Sequence, residues 1–251
     1  MRNEKTMAYI NLFSVLRNIE DLCRIDEYSK NLINGLDISI GFIVKGGPKA
    51  TLVFKNNKCR FIANKAKARI VLYFTSYKHF NNMVEGKANP IPVKGLLQIG
   101  FLTGDFIKLT ERLEYFLRPE PAILNDEDFK LKHTELLLYT AAFALTEYGN
   151  MDPIGKKIAH AIPDGVISME VKDGICVNIT SLNDKLETQK GAAETPRARV
   201  DFADMEAAFK LLSGESDSYT CIALEQLHQS GFLPMLDNMD KLLFHVSSYL
   251  R

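Results

Sequence analysis

The sequence predicts an α+β chain made of two tandem units, residues 1–120 and 125–251. The first observation behind this is an internal repeat. Residues 52–62 (LVFKNNKCRFI) lie over 169–179 (MEVKDGICVNI) at an offset of 117, bringing Lys55, Cys59 and Ile62 onto Lys172, Cys176 and Ile179. Arg69, Phe74 and Gly86 meet Arg197, Phe202 and Gly214 at an offset of 128, and Gln98–Leu102 meets Gln229–Leu233 at 131. An offset that only rises implies insertions of 11 and 3 residues in the second copy, and a period near 120 points to a duplicated domain rather than a solenoid. The second observation is a shared order of elements: helices, a strand meander, then strand, capped helix and closing helix.

In the first copy, Leu12, Phe13, Val15, Leu16, Ile19 and Leu22 form one helical face. Gly35 ends that region, and residues 38–44 read as a strand. Gly46-Gly47-Pro48 turns the chain into a strand at 51–55. Asn56-Asn57 makes a tight hairpin into 58–63, because asparagine tolerates positive φ. Residues 70–74 form a strand, Ser76 caps a helix and Gly86 stops it. A segment at 91–102 leads to an amphipathic helix at 105–117. The divider RPEP at 118–121, followed by NDED at 125–128, has the proline content and helix-start chemistry of a short linker.

The second copy begins with helices at 131–148 and 153–161. Residues 136–145 are apolar nearly all round, which suits either a seam between the units or an ordinary core helix. Strands at 167–172 and 175–179 flank the turn Asp173-Gly174. Residues 181–197 are polar, contain Gly191 and Pro196, and read as an inserted mobile loop or lid. The strand 200–202, the cap Asp204, the stop Gly214, the segment 222–233 and the helix 236–250 then repeat the first copy.

Composition narrows the function. Lysine plus arginine equal aspartate plus glutamate at 31 each, so net charge gives no reason to expect nucleic acid. The longest apolar stretch covers ten residues, too short to span a bilayer, and MRNEKTM at the N-terminus has no signal-peptide core, so a cytoplasmic location is expected. Cys23, Cys59, Cys176 and Cys221 lack metal-ligand spacing and read as reduced, packed thiols, with Cys59 and Cys176 at equivalent strand positions.

Lys172-Asp-Gly174, Arg199–Phe202, Asp204, Phe209–Gly214 and Gly231-Phe-Leu233 with the last helix resemble the sterol carrier protein family. In the first copy the corresponding residues are Lys55-Asn-Asn57, Phe74, Ser76, Met83–Gly86 and Gly100-Phe-Leu102. Pro90-Ile-Pro92 departs from the family's regular pattern, and the C-terminus Ser248-Tyr-Leu-Arg251 is not a peroxisomal address. The resemblance implies, for each unit, a mainly antiparallel sheet of about five strands covered by helices around an apolar tunnel. It also implies non-catalytic binding or transfer of a fatty acid, acyl thioester or sterol-like lipid, with no cofactor. By pattern the lining falls to Phe74, Phe80, Met83, Leu97, Phe101, Phe106, Leu109 and Leu113 in the first copy. In the second it falls to Phe202, Phe209, Leu212, Leu227, Phe232, Leu236, Met239 and Leu243. Each of these also suits plain core. The second copy is the better candidate for an open pocket.

Other chemistry is thinly supported. Glu225-Gln-Leu-His228 has one-face ligand spacing, but the first copy offers only Lys94-Gly-Leu-Leu97 at the aligned positions. Cys221 and His228 lack a third, orienting group, so a hydrolase or thioesterase has no convincing catalytic set. His79 aligns with Ala207, and His133, His160 and His245 are scattered on presumed helices. Lys65, Lys67 and Arg69 could meet acidic headgroups in a transient membrane contact, or be a solvated strand entry. The alternative function is an interaction module whose tunnel is filled by side chains.

Overall fold

The computed structural model describes residues 2–172 and 174–250. The chain divides into two compact units, Met1–Glu120 and Pro121–Arg251. In the first, the lead-in is helical through α1 (Glu4–Ile10), a π-turn at Asn11–Val15, a 3-10 turn at Leu16–Asn18 and α2 (Ile19–Ile25). Asn3 starts it by accepting hydrogen bonds from the amides of Lys5 and Thr6, at 3.0 and 3.2 Å. Next come α3 (Glu27–Leu32), β1 (Ile38–Val44), β2 (Lys49–Lys55), β3 (Lys58–Ala63) and β4 (Ile70–Phe74). Then follow α4 (Tyr77–Val84), β5 (Ile91–Lys94), a 3-10 turn at Leu96–Gln98, α5 (Ile99–Thr103) and α6 (Asp105–Leu117).

The second unit repeats the plan with α7 (Glu127–Met151), α8 (Pro153–His160), β6 (Gly165–Val171), β7 (Cys176–Leu182), β8 (Lys185–Lys190) and β9 (Ala198–Phe202). It continues with α9 (Met205–Ser213), α10 (Ser218–Ala223), β10 (Leu227–Gly231) and α11 (Leu233–Leu250). Each unit holds a five-stranded sheet, β3-β2-β1-β4-β5 or β8-β7-β6-β9-β10. The sheets are mixed: β1 runs parallel to β4 and β6 parallel to β9, and every other pair is antiparallel. The α+β fold expected from the sequence is therefore present twice. The parallel pair arises because a whole hairpin intervenes between the two central strands.

The structure corrects the repeat. Lys45 N donates to Phe74 O at 2.9 Å, and Lys172 N donates to Phe202 O at 3.1 Å. Arg69 Nη1 donates to Asp37 O at 2.6 Å, and Arg197 Nη1 donates to Asp164 O at 2.7 Å. The β2–β3 turn holds Asn56 and Asn57 at φ 54° and 58°, and the β7–β8 turn holds Asn183 and Asp184 at 51° and 61°. These pairs set an offset of 127 from β1 through the second hairpin and 128 from Arg69 onward. The 117 alignment had laid the β2–β3 hairpin over β6–β7, two hairpins with the same alternation and a similar turn. Cys59 is thus equivalent to Leu186, not to Cys176. All four thiols are free, three of them buried and Cys176 partly so.

Two further corrections follow. Residues 181–197 are not an inserted lid, since they contain β8, which pairs along the whole of β7. The residue matching Gly231 is Gly95, not Gly100. Both have φ near +85° (+85° and +86°), and a Cβ on either would overlap the carbonyl oxygen of Arg69 or Arg197. The offset there is 136, so the second unit's extra eight residues fall around α10. Of the Asp173-Gly174 turn, Asp173 lies outside the described residues, while Gly174 N donates to Val171 O at 3.0 Å.

The expected caps are present. Ser76 Oγ accepts from His79 N at 3.1 Å and Asp204 Oδ1 from Ala207 N at 2.7 Å, with Gly86 and Gly214 left-handed at the far ends. Helix α7 is core to the second unit, packing on α8, α9, α11 and β8, which accounts for its apolar circumference. Each unit also ties its last helix to a buried aspartate. Asp26 receives Arg112 of α6 through Nε and Nη2 at 3.1 and 2.8 Å, and Asp152 receives the Tyr249 hydroxyl of α11 at 3.0 Å. Both aspartates also cap a helix, α3 or α8.

Candidate functional site: a hollow at the edge of the second sheet

In the first unit, Phe74, Phe80, Phe106, Leu109 and Leu113 are buried, and Met83 is half-buried. Phe101 is half-buried, with its ring 5.5 Å from Phe54 and 6.2 Å from Phe106, which in turn meets Phe42 at 6.3 Å. These four rings occupy the space between the sheet and α5–α6. Leu97 stands 97% exposed, because the chain leaves β5 at Gly95 and turns outward into the 3-10 turn. In the second unit, Phe202, Phe209, Leu227, Leu236 and Met239 are buried, and Leu212 and Leu243 are half-buried. Phe232 is exposed on one side and covered on the other by the Arg197 guanidinium, 4.4 Å above its ring.

Two adjoining hollows lie at the β10 edge of the second sheet. One, of about 540 Å³, is lined by Ile222, Glu225, Leu227, His228, Gln229 and Leu233. The other, of about 370 Å³, is lined by Glu170, Lys172, Asp201, Phe202, Ala203, Glu225 and His228. Glu225 and His228 belong to both, and so stand between the two. Local sequence builds this edge. Asp217 caps α10 by accepting from Thr220 N and Oγ1, both at 2.9 Å. Glu225, at φ 59°, then swings the chain into β10. Register sets Glu170, Asp201 and His228 side by side across β6, β9 and β10.

The charge around this edge is acidic. The second unit carries 20 Asp and Glu against 12 Lys and Arg, a net of −8, whereas the first carries 19 Lys and Arg against 11 acids, a net of +8. The neutral total conceals this segregation. Burial pushes the Asp240 carboxyl of α11 up, a hydrogen bond with Gln229 pulls it down, and Asp237 repels it further, with a net rise. Gln229 thus links the hollow to α11.

Among the lining residues expected from sequence, the structure brings Leu227 to the larger hollow and Phe202 to the smaller one. The sequence reading missed Ile222, Leu233 and Gln229. For Ile222 the signal was available, as an apolar residue in the eight-residue insertion, whereas Leu233 matches Leu97 at the offset of 136 and stands out from it only in the structure. Cys221 is 1% exposed whereas His228 is exposed, so the two do not share a surface. Among the described residues, no group of three or more His, Cys, Asp or Glu is placed to hold a metal ion. No helix there is long and apolar enough to cross a membrane.

No family model matches the chain, and no curated protein does. Solved structures do. The sterol carrier protein domain 2 of Helicoverpa armigera is 14% identical, with a TM-score of 0.37, over 45% of this chain and 89% of its own. Sterol carrier protein 2 from Yarrowia lipolytica is 14% identical, with a TM-score of 0.31, over 40% and 91%. Sterol carrier protein 2 like 2 from Aedes aegypti is 10% identical, with a TM-score of 0.31, over 43% and 96%. The likeness is one of fold.

Proposed function

We propose that the second unit reversibly binds an apolar, lipid-like molecule in the hollow between α10, β10 and the start of α11, without a covalent step. The observation that supports this is the 540 Å³ compartment itself, with Ile222, Leu227 and Leu233 on its walls and Glu225, His228 and Gln229 at its polar side. A few convergent polar groups on an apolar wall are the usual form of a small-molecule site. Each buried methylene contributes about 0.8 kcal/mol, so a chain of several carbons binds without strong polar contacts. The acidic surroundings select the head group. Glu170, Asp201 and Glu225 outnumber Lys172 along this edge and disfavour a free carboxylate, so the ligand is an uncharged acyl derivative or a sterol-like alcohol.

A second reading applies to the first unit alone. Phe42, Phe54, Phe101 and Phe106 pack ring to ring there, at centroid distances of 5.5 to 6.3 Å. This favours a surface role for that unit over ligand storage.

The test is titration of the full chain with an uncharged fluorescent acyl probe, alone and in competition with the matching fatty acid. Ile222→Asp and Leu233→Asp, both at exposed positions, are expected to weaken uptake about tenfold each, roughly half a leucine's burial. Uptake unchanged by both substitutions, or no uptake at all, overturns the proposal.

A further inference from the structure

We infer that the first unit docks on an anionic lipid bilayer through the projecting tip made by β5, the Leu96–Gln98 turn and α5. Five aliphatic side chains there face outward: Ile91, Val93, Leu96, Leu97 and Ile99 are 42, 58, 62, 97 and 46% exposed. Five such residues clustered within nine positions form a patch, not the scattered singles of an ordinary surface. The tip is held at both ends. At its base, Gly95 lies so close to the Arg69 carbonyl that no side chain fits, and Lys94 Nζ donates to Ala68 O at 2.8 Å. At its far end, the Phe101 ring is seated against Phe54 and Phe106.

Those anchors place the base of the tip beside Ala68 and Arg69, at the end of the exposed segment that carries Lys65 and Lys67. Arg69 is paired with Asp37 at 3.2 Å, which leaves Lys67 and Lys94 as the cations nearest the apolar surface, with Lys65 further along the same segment, where Thr51 of β2 donates to its carbonyl oxygen at 2.9 Å. The unit behind them has a net charge of +8. Aliphatic residues that insert shallowly, flanked by lysines whose stems reach headgroup level, match an anionic bilayer in both polarity and charge. A nucleic acid would use the same charge, but these aliphatic residues offer no ring for a base to stack on.

The inference extends the lipid reading to the first unit, and the substitutions that test it leave the second unit's hollow untouched. Vesicle binding and probe uptake can therefore fail separately. The experiment is flotation of the full chain with phosphatidylcholine vesicles and with vesicles in which about a third of the lipid is phosphatidylglycerol. The expected result is binding to the anionic vesicles at least about tenfold tighter than to the neutral ones, and weaker as salt rises. Leu97→Asp, and separately Lys65→Glu with Lys67→Glu, should each reduce it about tenfold while the melting temperature and probe uptake stay at wild-type values. Equal binding to both vesicle types, no binding to either, or full binding by Leu97→Asp overturns the inference. Retention on single-stranded RNA or concentration-dependent self-association that Leu97→Asp abolishes, without vesicle binding, also overturns it.

Discussion

Replacing Arg112 by methionine keeps most of the aliphatic stem of that side chain but removes the guanidinium that Asp26 depends on. The Asp26 carboxylate is 4% exposed and receives two hydrogen bonds from Arg112, plus Ser29 N and Oγ at 3.0 and 2.7 Å. Breaking a fully buried pair by deleting one partner costs about 3–5 kcal/mol. Arg112 is 30% exposed and the Ser29 bonds survive, so the expected loss here is about 2–3 kcal/mol. The guanidinium also lies over the Tyr115 and Phe116 rings, each at 4.8 Å, and those contacts go with it. The pH dependence is a second signature. Burial pushes the Asp26 carboxyl up, but the hydrogen bonds from Arg112 and Ser29 outweigh it and hold it below the ordinary 3.8. A carboxyl with a lowered folded-state pKa contributes stability above its unfolded value and loses it as pH falls through the folded value. The gap between wild type and Arg112→Met should therefore be constant above about pH 5 and shrink below 3.8. Urea unfolding of the full chain, followed by far-ultraviolet circular dichroism at pH 7 and pH 3, measures both. A cost below about 0.5 kcal/mol at pH 7, or an equal cost at both pH values, refutes the reasoning.

Further outcomes follow from other contacts. Gly231→Ala should destabilise by more than about 2 kcal/mol, since its φ is +86° and its Cβ would overlap Arg197 O. Gly214→Ala, with the same handedness but open space around it, should cost only about 1 kcal/mol, and thermal melting separates the two. Asp240→Asn should raise the melting temperature at pH 7 and have no effect near pH 3. The raised folded-state value of Asp240 means that its favourable contribution is present below the ordinary 3.8 and is lost as pH rises through the folded value.

The capped helices and the glycine stops were legible because they depend on local chemistry: an oxygen for free amides at Ser76 and Asp204, a missing Cβ at Gly86 and Gly214. The repeat itself was legible, but its register was not. Hairpins β2–β3 and β6–β7 both alternate apolar and polar residues around a two-residue turn, so one can be laid over the other with several identities. The hydrogen bonds of Lys45, Lys172, Arg69 and Arg197, with the left-handed turns Asn56-Asn57 and Asn183-Asp184, identify the correct pairs. The same error hid β8 inside a supposed loop, since Lys185–Lys190 has one apolar residue, Leu186, and sits at a sheet edge, where one face is dry and the other wet. The candidate site was only partly legible. Apolar residues at helical spacing do not reveal whether they close a core, as Leu109 and Leu113 do, or stand outside it, as Leu97 does. Nor did the balanced total charge disclose two units of opposite sign.

The central claim is that the second unit holds one apolar ligand at its β10 edge. Native mass spectrometry of gently purified full-length protein, followed by organic extraction, tests it most directly. The account predicts at most one uncharged lipid-like molecule per chain, present in the wild type and lost in Leu233→Asp. A bare mass together with no uptake of the acyl probe would contradict it, as would a ligand retained in full by Leu233→Asp.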